Sequence, residues 1–360
     1  MLTSKHMQGA MAKSAATPPC EITWSLGSRT IAEACPLCSS REALPIGGRR
    51  DDALLFPDTW HFAECRDCKS IYLIDRPDDA SLHQAYDSYY THEREPDALA
   101  REHGVALAGR LINGYLNRRY RMRRKSALSI GHILFMLIPP LRMGVDVYAR
   151  HVPERLLKPT TRLLDYGCGN GDFLLRALEM GIQPQGCDPD PKAVAQCRKA
   201  GLEVELGSDL AELYPPGTFH YVTLSHVIEH STNIRKTLTQ VYSVLKPGGA
   251  VWIALPNPRS LDRRALGLAW TGLHPPYHLA IPSHASLRRV LEESGFRDIR
   301  LLTRGMESAG MYRYALATAN NHDLEVDRLK ARILRAATQI LATMTYRWSN
   351  ETIAIASKPG

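Results

Sequence analysis

The chain has 360 residues, 44% apolar and 23% charged, a globular composition that excludes a disordered tail protein and allows one large domain or two ordinary ones. Its net charge of +8 is local: residues 110–158 hold eleven Lys/Arg against two Asp/Glu, and the other 311 residues sum to −1. This excludes a generally basic protein and leaves a near-neutral one carrying a basic belt.

The first twenty residues have Lys5 and Lys13 with no apolar run behind them, so no export signal is readable, and residues 1–30 are expected to be a disordered leader. The longest apolar stretch, Ile133 to Leu141, falls well short of the roughly 20 residues of a spanning helix. A cytoplasmic protein is the expectation.

Next come two C-x2-C knuckles, Cys35/Cys38 and Cys65/Cys68, separated by 26 residues. Each knuckle turns two thiolates toward one point, and together they supply the four ligands of a closed, structural Zn2+ site. Residues 31–78 are therefore read as a zinc ribbon. Cys20, Cys168, Cys187 and Cys197 stand apart and are expected to be buried small hydrophobes.

Residues 79–158 are helical in composition and form a basic linker. Arg118 to Lys125 reads RRYRMRRK, and SALSIGHILFMLIPPLRM follows directly. Residues 118–142 could lie on an anionic membrane surface, on the inner face, or bring cations to a pyrophosphate-bearing substrate. Gly131, His132 and two prolines interrupt the apolar run and favour the ordinary alternative: a solvated helix, then one buried between the zinc domain and the core.

From Thr161 strand-like runs alternate with amphipathic helices, which predicts an α/β doubly wound sheet over 159–360. Two more strands, at 296–303 and 352–358, bracket a helical insertion at about 305–350 with a long amphipathic helix around 322–343. Asp165-Tyr166-Gly167-Cys168-Gly169-Asn170-Gly171 follows the first strand and opens a helix. A dinucleotide site wants glycine next, and Asp172 stands there instead, an anion where pyrophosphate would sit. S-adenosylmethionine, with an amino group, a sulfonium and no phosphate, fits better. Asp188, before Pro189, closes the second strand and can accept ribose hydroxyls, and Ser208-Asp209-Leu210 after the third can read an adenine edge.

With LKPGG at 245–249, these features resemble the class I S-adenosylmethionine-dependent methyltransferases over roughly 160–303. The resemblance implies a Rossmann-like seven-stranded sheet. It also implies cofactor contacts from Asp165, Tyr166, Gly167, Cys168, Gly169, Gly171, Asp188, Pro189, Ser208, Asp209, Leu210, Ser225 and His226. CRDCKSIYLIDRPDDASLHQAYDSYY at 65–90, TLSHVIEH at 223–230 and WTGLHPPYHLAIPSHASLRRVLEESGF at 270–296 further resemble a bacterial methyltransferase group with an N-terminal zinc-knuckle domain. That likeness implies a sugar, nucleotide-sugar or glycan acceptor in polysaccharide or natural-product biosynthesis.

Methyl transfer needs a positioned acceptor and a group to take its proton. Imidazole titrates near neutrality and suits a hydroxyl. The candidates are His226 and His230 after the fourth strand and His278, with His274, in LHPPYHL, while Tyr277 can orient a hydroxyl. An RNA methyltransferase using ribbon and belt to hold nucleic acid is the competing reading. Against it, the N/D-P-P-Y/F signature of exocyclic-amine enzymes is replaced by SHVIEH.

Overall fold

The computed structural model describes residues 22–51, 57–79, 81–86, 106–305, 309–321, 324 and 326–360. The N-terminal region holds β1 (Ile22–Trp24), β2 (Gly27–Ile31), β3 (Ala43–Arg50), β4 (Thr59–Cys65), β5 (Ile71–Leu73), β6 (Asp75–Pro77) and α1 (Leu82–Tyr86). Three helices follow: α2 (Leu107–Tyr120), α3 (Ile130–Leu137) and α4 (Pro139–Tyr148). The alternating region runs β7 (Arg162–Tyr166), α5 (Asp172–Glu179), β8 (Gln183–Asp188), α6 (Pro191–Lys199), β9 (Val204–Leu206), α7 (Leu210–Leu213), β10 (Phe219–Ser225), α8 (Ile234–Val244) and β11 (Leu245–Pro256). It continues with α9 (Leu261–Leu266), β12 (Ala280–Ile281), α10 (His284–Glu293), β13 (Arg297–Leu302), α11 (Ala309–Asn321), α12 (Arg328–Leu341) and β14 (Glu351–Ser357).

The expected doubly wound sheet is present, seven strands in the order β9-β8-β7-β10-β11-β14-β13. Its strands are parallel except β14, which pairs antiparallel with both β11 and β13. Neighbouring residues on one strand point to opposite faces, so Leu164 and Ile253 enter one apolar cluster while Leu163 and Trp252 enter the other. Local chemistry sets the helix starts: Asp190 caps α6 ahead of Pro191, Asn233 caps α8 and Ser283 caps α10.

The region of the four cysteines sits on one of these faces. Cys35, Leu37, Cys65 and Tyr72 share a cluster with α8 and α10. Its four-stranded sheet is completed from far along the chain: β12 pairs antiparallel with β5, giving β12-β5-β4-β3. The loop after β11 is thereby fastened to the N-terminal region.

Several expectations are corrected. Residues 22–31, assigned to the leader, form β1 and β2, which join β6 in a second small sheet. Trp24 is buried edge-on against Trp60, and Arg29 pairs with Asp58 and Asp75. The remainder of the leader, residues 1–21, lies outside the described residues, as do residues 87–105 of the expected linker. β11 begins at Leu245, the first residue of LKPGG, and its pairing with β10 breaks register between Phe219 and Tyr221. The insertion between β13 and β14 contains two helices, α11 and α12.

The basic belt also differs from expectation. Helices α2 to α4 do not lie between the zinc region and the core. Tyr115, Tyr120 and Phe135 pack instead on the opposite sheet face, with Phe173 of α5 and Trp252 of β11. Gly114 and Gly131 allow α2 to pack closely on the following chain, since a Cβ at either would fall within 2.0 Å of a carbonyl oxygen. Part of the charge is structural: Arg124 is buried on Glu179, Arg121 donates to the Leu157 carbonyl and Arg150 pairs with Asp165. The outer side of α3 is exposed rather than buried.

Candidate active site and cysteine cluster

The glycine loop turns sharply between β7 and α5 through three left-handed residues, Gly167, Gly169 and Gly171, with φ of +70°, +51° and +82°. A Cβ on Gly167 would lie 2.6 Å from Val227, whereas one on Gly169 would meet nothing within 4 Å. The loop is therefore packed from below and open above Gly169. Asp188 fixes it: Oδ2 accepts the Gly169 N–H at 2.9 Å and Oδ1 accepts the Asp190 N–H at 2.9 Å. Asn170 Oδ1 accepts the Asp172 N–H at 3.2 Å, and Asp172 itself occupies the first turn of α5. A helix start occupied in this way is a poor phosphate site and suits a cofactor without phosphate.

The remaining cofactor candidates divide. Tyr166 donates its hydroxyl to the Ser208 carbonyl at 2.9 Å, tying the end of β7 to the loop before α7. Pro189 and Ser208 are exposed beside this edge, and Ser225 is half-buried at the end of β10. Cys168 is buried, and the Cys197 thiol donates to the Gly169 carbonyl at 3.2 Å.

Asp165, Asp209 and Leu210 each have partners of their own within the protein. Asp165 is fully buried, and its Oδ1 takes hydrogen bonds from Arg150 and Thr223. Burial pushes its carboxyl up and Arg150 opposes this; Oδ2 is buried with no hydrogen-bond partner among the described residues. Asp209 caps α7 through Ala211, and its carboxylate is also held by Gln240 at 2.7 Å and Lys236 at 3.3 Å. Leu210 is fully buried in the core.

The histidines gather where β10 and the loop after β11 meet. His226 takes φ +55°, and its ring lies between two carboxylates, Nδ1 3.2 Å from Glu229 Oε1 and Nε2 3.0 Å from Glu351 Oε1. Desolvation opposes the charged ring, but the two carboxylates outweigh it and push His226 up to about 10. With a carboxylate facing each ring nitrogen, the geometry favours an imidazolium at neutral pH, a state suited to positioning rather than to taking a proton. Arg304 completes the chain of charges on Glu351.

His278 is the reverse case. It is buried, its Nδ1 donates to the Gly272 carbonyl at 2.8 Å, and its Nε2 is 4.0 Å from Glu229 Oε1. Burial holds its pKa below the usual value, leaving a neutral ring whose Nε2 carries the lone pair. His230 packs edge-on at 4.6 Å from the His278 ring, with Nδ1 2.9 Å from the Tyr86 hydroxyl. Burial first, then His278 and His274, push His230 well below its usual range. Tyr277 is buried against Tyr86 and His274. Donor atoms of Glu229, His230 and His278 lie within 4.8 Å of one another, and Glu229 Oε2 has no hydrogen-bond partner among the described residues.

Glu229, Glu351, Arg304, Arg150 and Tyr86 were not legible as site residues. Glu229, inside TLSHVIEH, and Tyr86, inside the 65–90 block, were the two with a signal.

The four knuckle sulfurs also lie within 4.8 Å of one another, Cys35–Cys68 at 3.6 Å and Cys38–Cys65 at 3.4 Å. These separations are too long for disulfides. They are close to the about 3.8 Å edge of a tetrahedron built on 2.3 Å metal–sulfur bonds. A buried serine network ties the second knuckle to α10: Ser283 Oγ donates to the Cys68 carbonyl at 2.6 Å, and Ser70 donates to Ser286 at 2.9 Å.

A mixed seven-stranded sheet in this order, with a glycine loop after its first strand and an acidic residue closing its second, is the Rossmann-like fold of class I methyltransferases. In agreement, residues 142–301 match a family model described as "Methyltransferase domain". A ubiquinone biosynthesis O-methyltransferase of Xanthomonas campestris pv. campestris is 31% identical over 126 residues, 33% of this chain and 52% of that relative. A demethylmenaquinone methyltransferase of Thermus thermophilus is 34% identical over 141 residues, 36% of this chain and 63% of the relative. The chain thus spans about half the length of the curated relatives it matches. A solved S-adenosylmethionine-dependent methyltransferase from Archaeoglobus fulgidus aligns with TM-score 0.40 and 21% identity, covering 57% of this chain and 89% of its own.

Proposed function

We propose that this protein is an S-adenosylmethionine-dependent methyltransferase that methylates a hydroxyl of a small acceptor, with His278 taking the proton. The observation that carries the reading is the packing of the glycine loop on Val227, two residues from the Glu229 whose carboxylate lies 4.0 Å from the buried His278 ring. When bound, S-adenosylmethionine supplies an electrophilic methyl on a sulfonium. The loop, with Asp188 and Tyr166, would hold it. An acceptor hydroxyl within hydrogen-bond reach of His278 Nε2 gives its proton to Nε2, and Glu229, 4.0 Å from that nitrogen, stabilises the imidazolium that forms. The name of the Xanthomonas relative, a ubiquinone biosynthesis O-methyltransferase, supports O-methyl chemistry. A sugar or glycan hydroxyl remains the acceptor class the zinc-knuckle resemblance favours. Zn2+ in the four-cysteine cluster would be structural, since all four positions are filled by thiolates.

The RNA reading is less well supported. It needs ribbon and belt on one surface, whereas the cysteine cluster and the belt helices pack on opposite faces of the sheet. The test is titration calorimetry with S-adenosylmethionine, followed by S-adenosylhomocysteine release across nucleotide sugars, glycan intermediates and hydroxylated aromatics. No cofactor binding would remove the proposal. Turnover that survives His278→Ala undiminished would remove His278 as the base.

A further inference from the structure

Two helices in different parts of the chain carry apolar faces that nothing among the described residues covers. On α3, Ile130, Ile133, Met136 and Leu137 are exposed, Leu137 to 75%, while Gly131 and Phe135 on the other side are buried. On α12, Leu329, Ile333, Ile340 and Met344 follow one helical stripe through and just past its end, Met344 exposed to 73%, while Ala331 and Thr338 face inward. Single exposed apolar side chains need no explanation, but two continuous stripes do.

The two faces are joined. The Gly305 N–H donates to the carbonyl of Ala342 at 3.3 Å, just past α12. A Cβ on Gly305 would lie 2.8 Å from Met143 of α4, so α4 and the end of α12 close on the same glycine. The preceding residue, Arg304, pairs with Glu351, which holds His226. The junction is therefore one residue from the charged chain that ends at the candidate active site.

Charge selects the occupant. Residues 328–348 contain five Arg/Lys and no acid. Around α3, Arg118, Arg123 and Lys125 are exposed, and the only acid in residues 106–148, Asp146, is held by Tyr115, Tyr120 and Arg142. Apolar stripes framed by cations suit the boundary layer of an anionic bilayer. Among the described residues no single helix is long and apolar enough to cross a membrane, and only α3 with α4, bent by 110°, reaches the required hydropathy. At about 1.5 Å per residue these helices are about 12 and 15 Å long, short of the about 30 Å hydrocarbon core. They fit a bilayer surface and do not span it.

We propose that α3, α4 and α12 form a docking face for an anionic membrane, and that the acceptor is a membrane-borne amphiphile with a hydroxylated head. The identity of the acceptor rests on the methyltransferase reading; the docking face does not. The test is flotation of the full chain with phosphatidylcholine vesicles and with vesicles containing 30% phosphatidylglycerol, in low and high salt, alongside calorimetry with S-adenosylmethionine. The expected result is capture by the anionic vesicles, weakened by salt and reduced at least tenfold in Ile133→Glu/Leu137→Glu and in Ile333→Glu/Ile340→Glu, with cofactor affinity unchanged in both. Absence of vesicle binding in a protein that binds cofactor would overturn the docking face. So would binding that ignores both substitutions, or concentration-dependent dimers that the same substitutions dissolve, which would assign the face to a second copy. Vesicle binding without cofactor binding would keep the face and remove the methyltransferase reading.

Discussion

His226 Nε2 lies 3.0 Å from Glu351 Oε1, joining the end of β10 to the start of β14 across the intervening β11. The pair should make stability depend on pH in a defined way. His226 is raised from 6.5 to about 10, although desolvation opposes the charge, because Glu229 and Glu351 flank it. Glu351 is lowered from 4.5 to about 2: desolvation works against this, and Arg304 and His226 outweigh it. The raised histidine contributes fully below pH 6.5 and loses its contribution as pH climbs toward about 10, while the depressed carboxylate contributes above pH 4.5 and loses it toward about 2. His226→Gln should therefore lower Tm most between pH 4.5 and 6.5, with the gap to wild type closing on both sides. A gap that stays constant from pH 6.5 to 10 would show that the ion pair does not form.

His278 gives a separate pH signature. Burial holds its pKa below 6.5, so the base is already deprotonated at neutrality and activity should fall only at lower pH, as Nε2 is protonated. His278→Ala should reduce kcat by about 10²- to 10⁴-fold, with S-adenosylhomocysteine affinity unchanged. His226→Gln should leave the acid limb of the pH profile in place. An acid limb that moves with His226 instead would return the role of base to that residue.

The cysteine cluster should stabilise more than its own knuckles. Ser283, at the N-cap of α10, donates to Cys68, and β12 pairs with β5, so the loop carrying His274, Tyr277 and His278 is anchored to the knuckle region at both points. Treatment with a chelator, or Cys65→Ser, should lower amide protection in residues 272–286 by about tenfold or more. Hydrogen exchange with mass spectrometry reads this directly. Protection lost only around 35–75 would mean that the two regions are uncoupled.

What the sequence revealed follows the range of the interactions. The knuckles, the glycine loop and the acidic end of β8 are contiguous motifs whose chemistry depends on spacing, and they were legible. The alternation of strands and helices was also legible, because burial on two sheet faces imposes its own periodicity. What was missed depends on distant partners. Nothing near Glu351 or Arg304 indicates His226, which is 125 residues from Glu351. His226 was read as a base from its type, and only the two carboxylates around it reverse that role. Asp165 and Asp209 were read as ligand contacts from position, but Arg150 in one case and Lys236 with Gln240 in the other had already engaged them. The β1–β2 hairpin was hidden because its anchor, Trp24, follows a Pro- and Ala-rich stretch, and its partner Trp60 lies beyond the first knuckle.

Gly167 separates two sources of strain that a single substitution would confound. A methyl at this position meets Val227 at 2.6 Å and must also be carried at φ +70°. The contact costs about 1–3 kcal/mol in a packed site, and the left-handed backbone about 1–2 kcal/mol. Gly167→Ala should therefore weaken S-adenosylmethionine binding and lower Tm, with the loop displaced to relieve the contact. Adding Val227→Ala removes the methyl groups that are struck and should restore part of both losses, leaving about 1–2 kcal/mol from the backbone alone. Val227→Ala by itself supplies the cavity control for the double-mutant cycle. Full recovery in the double variant would show that φ carries no cost here, and no recovery would show that the loop yields at φ before it meets Val227.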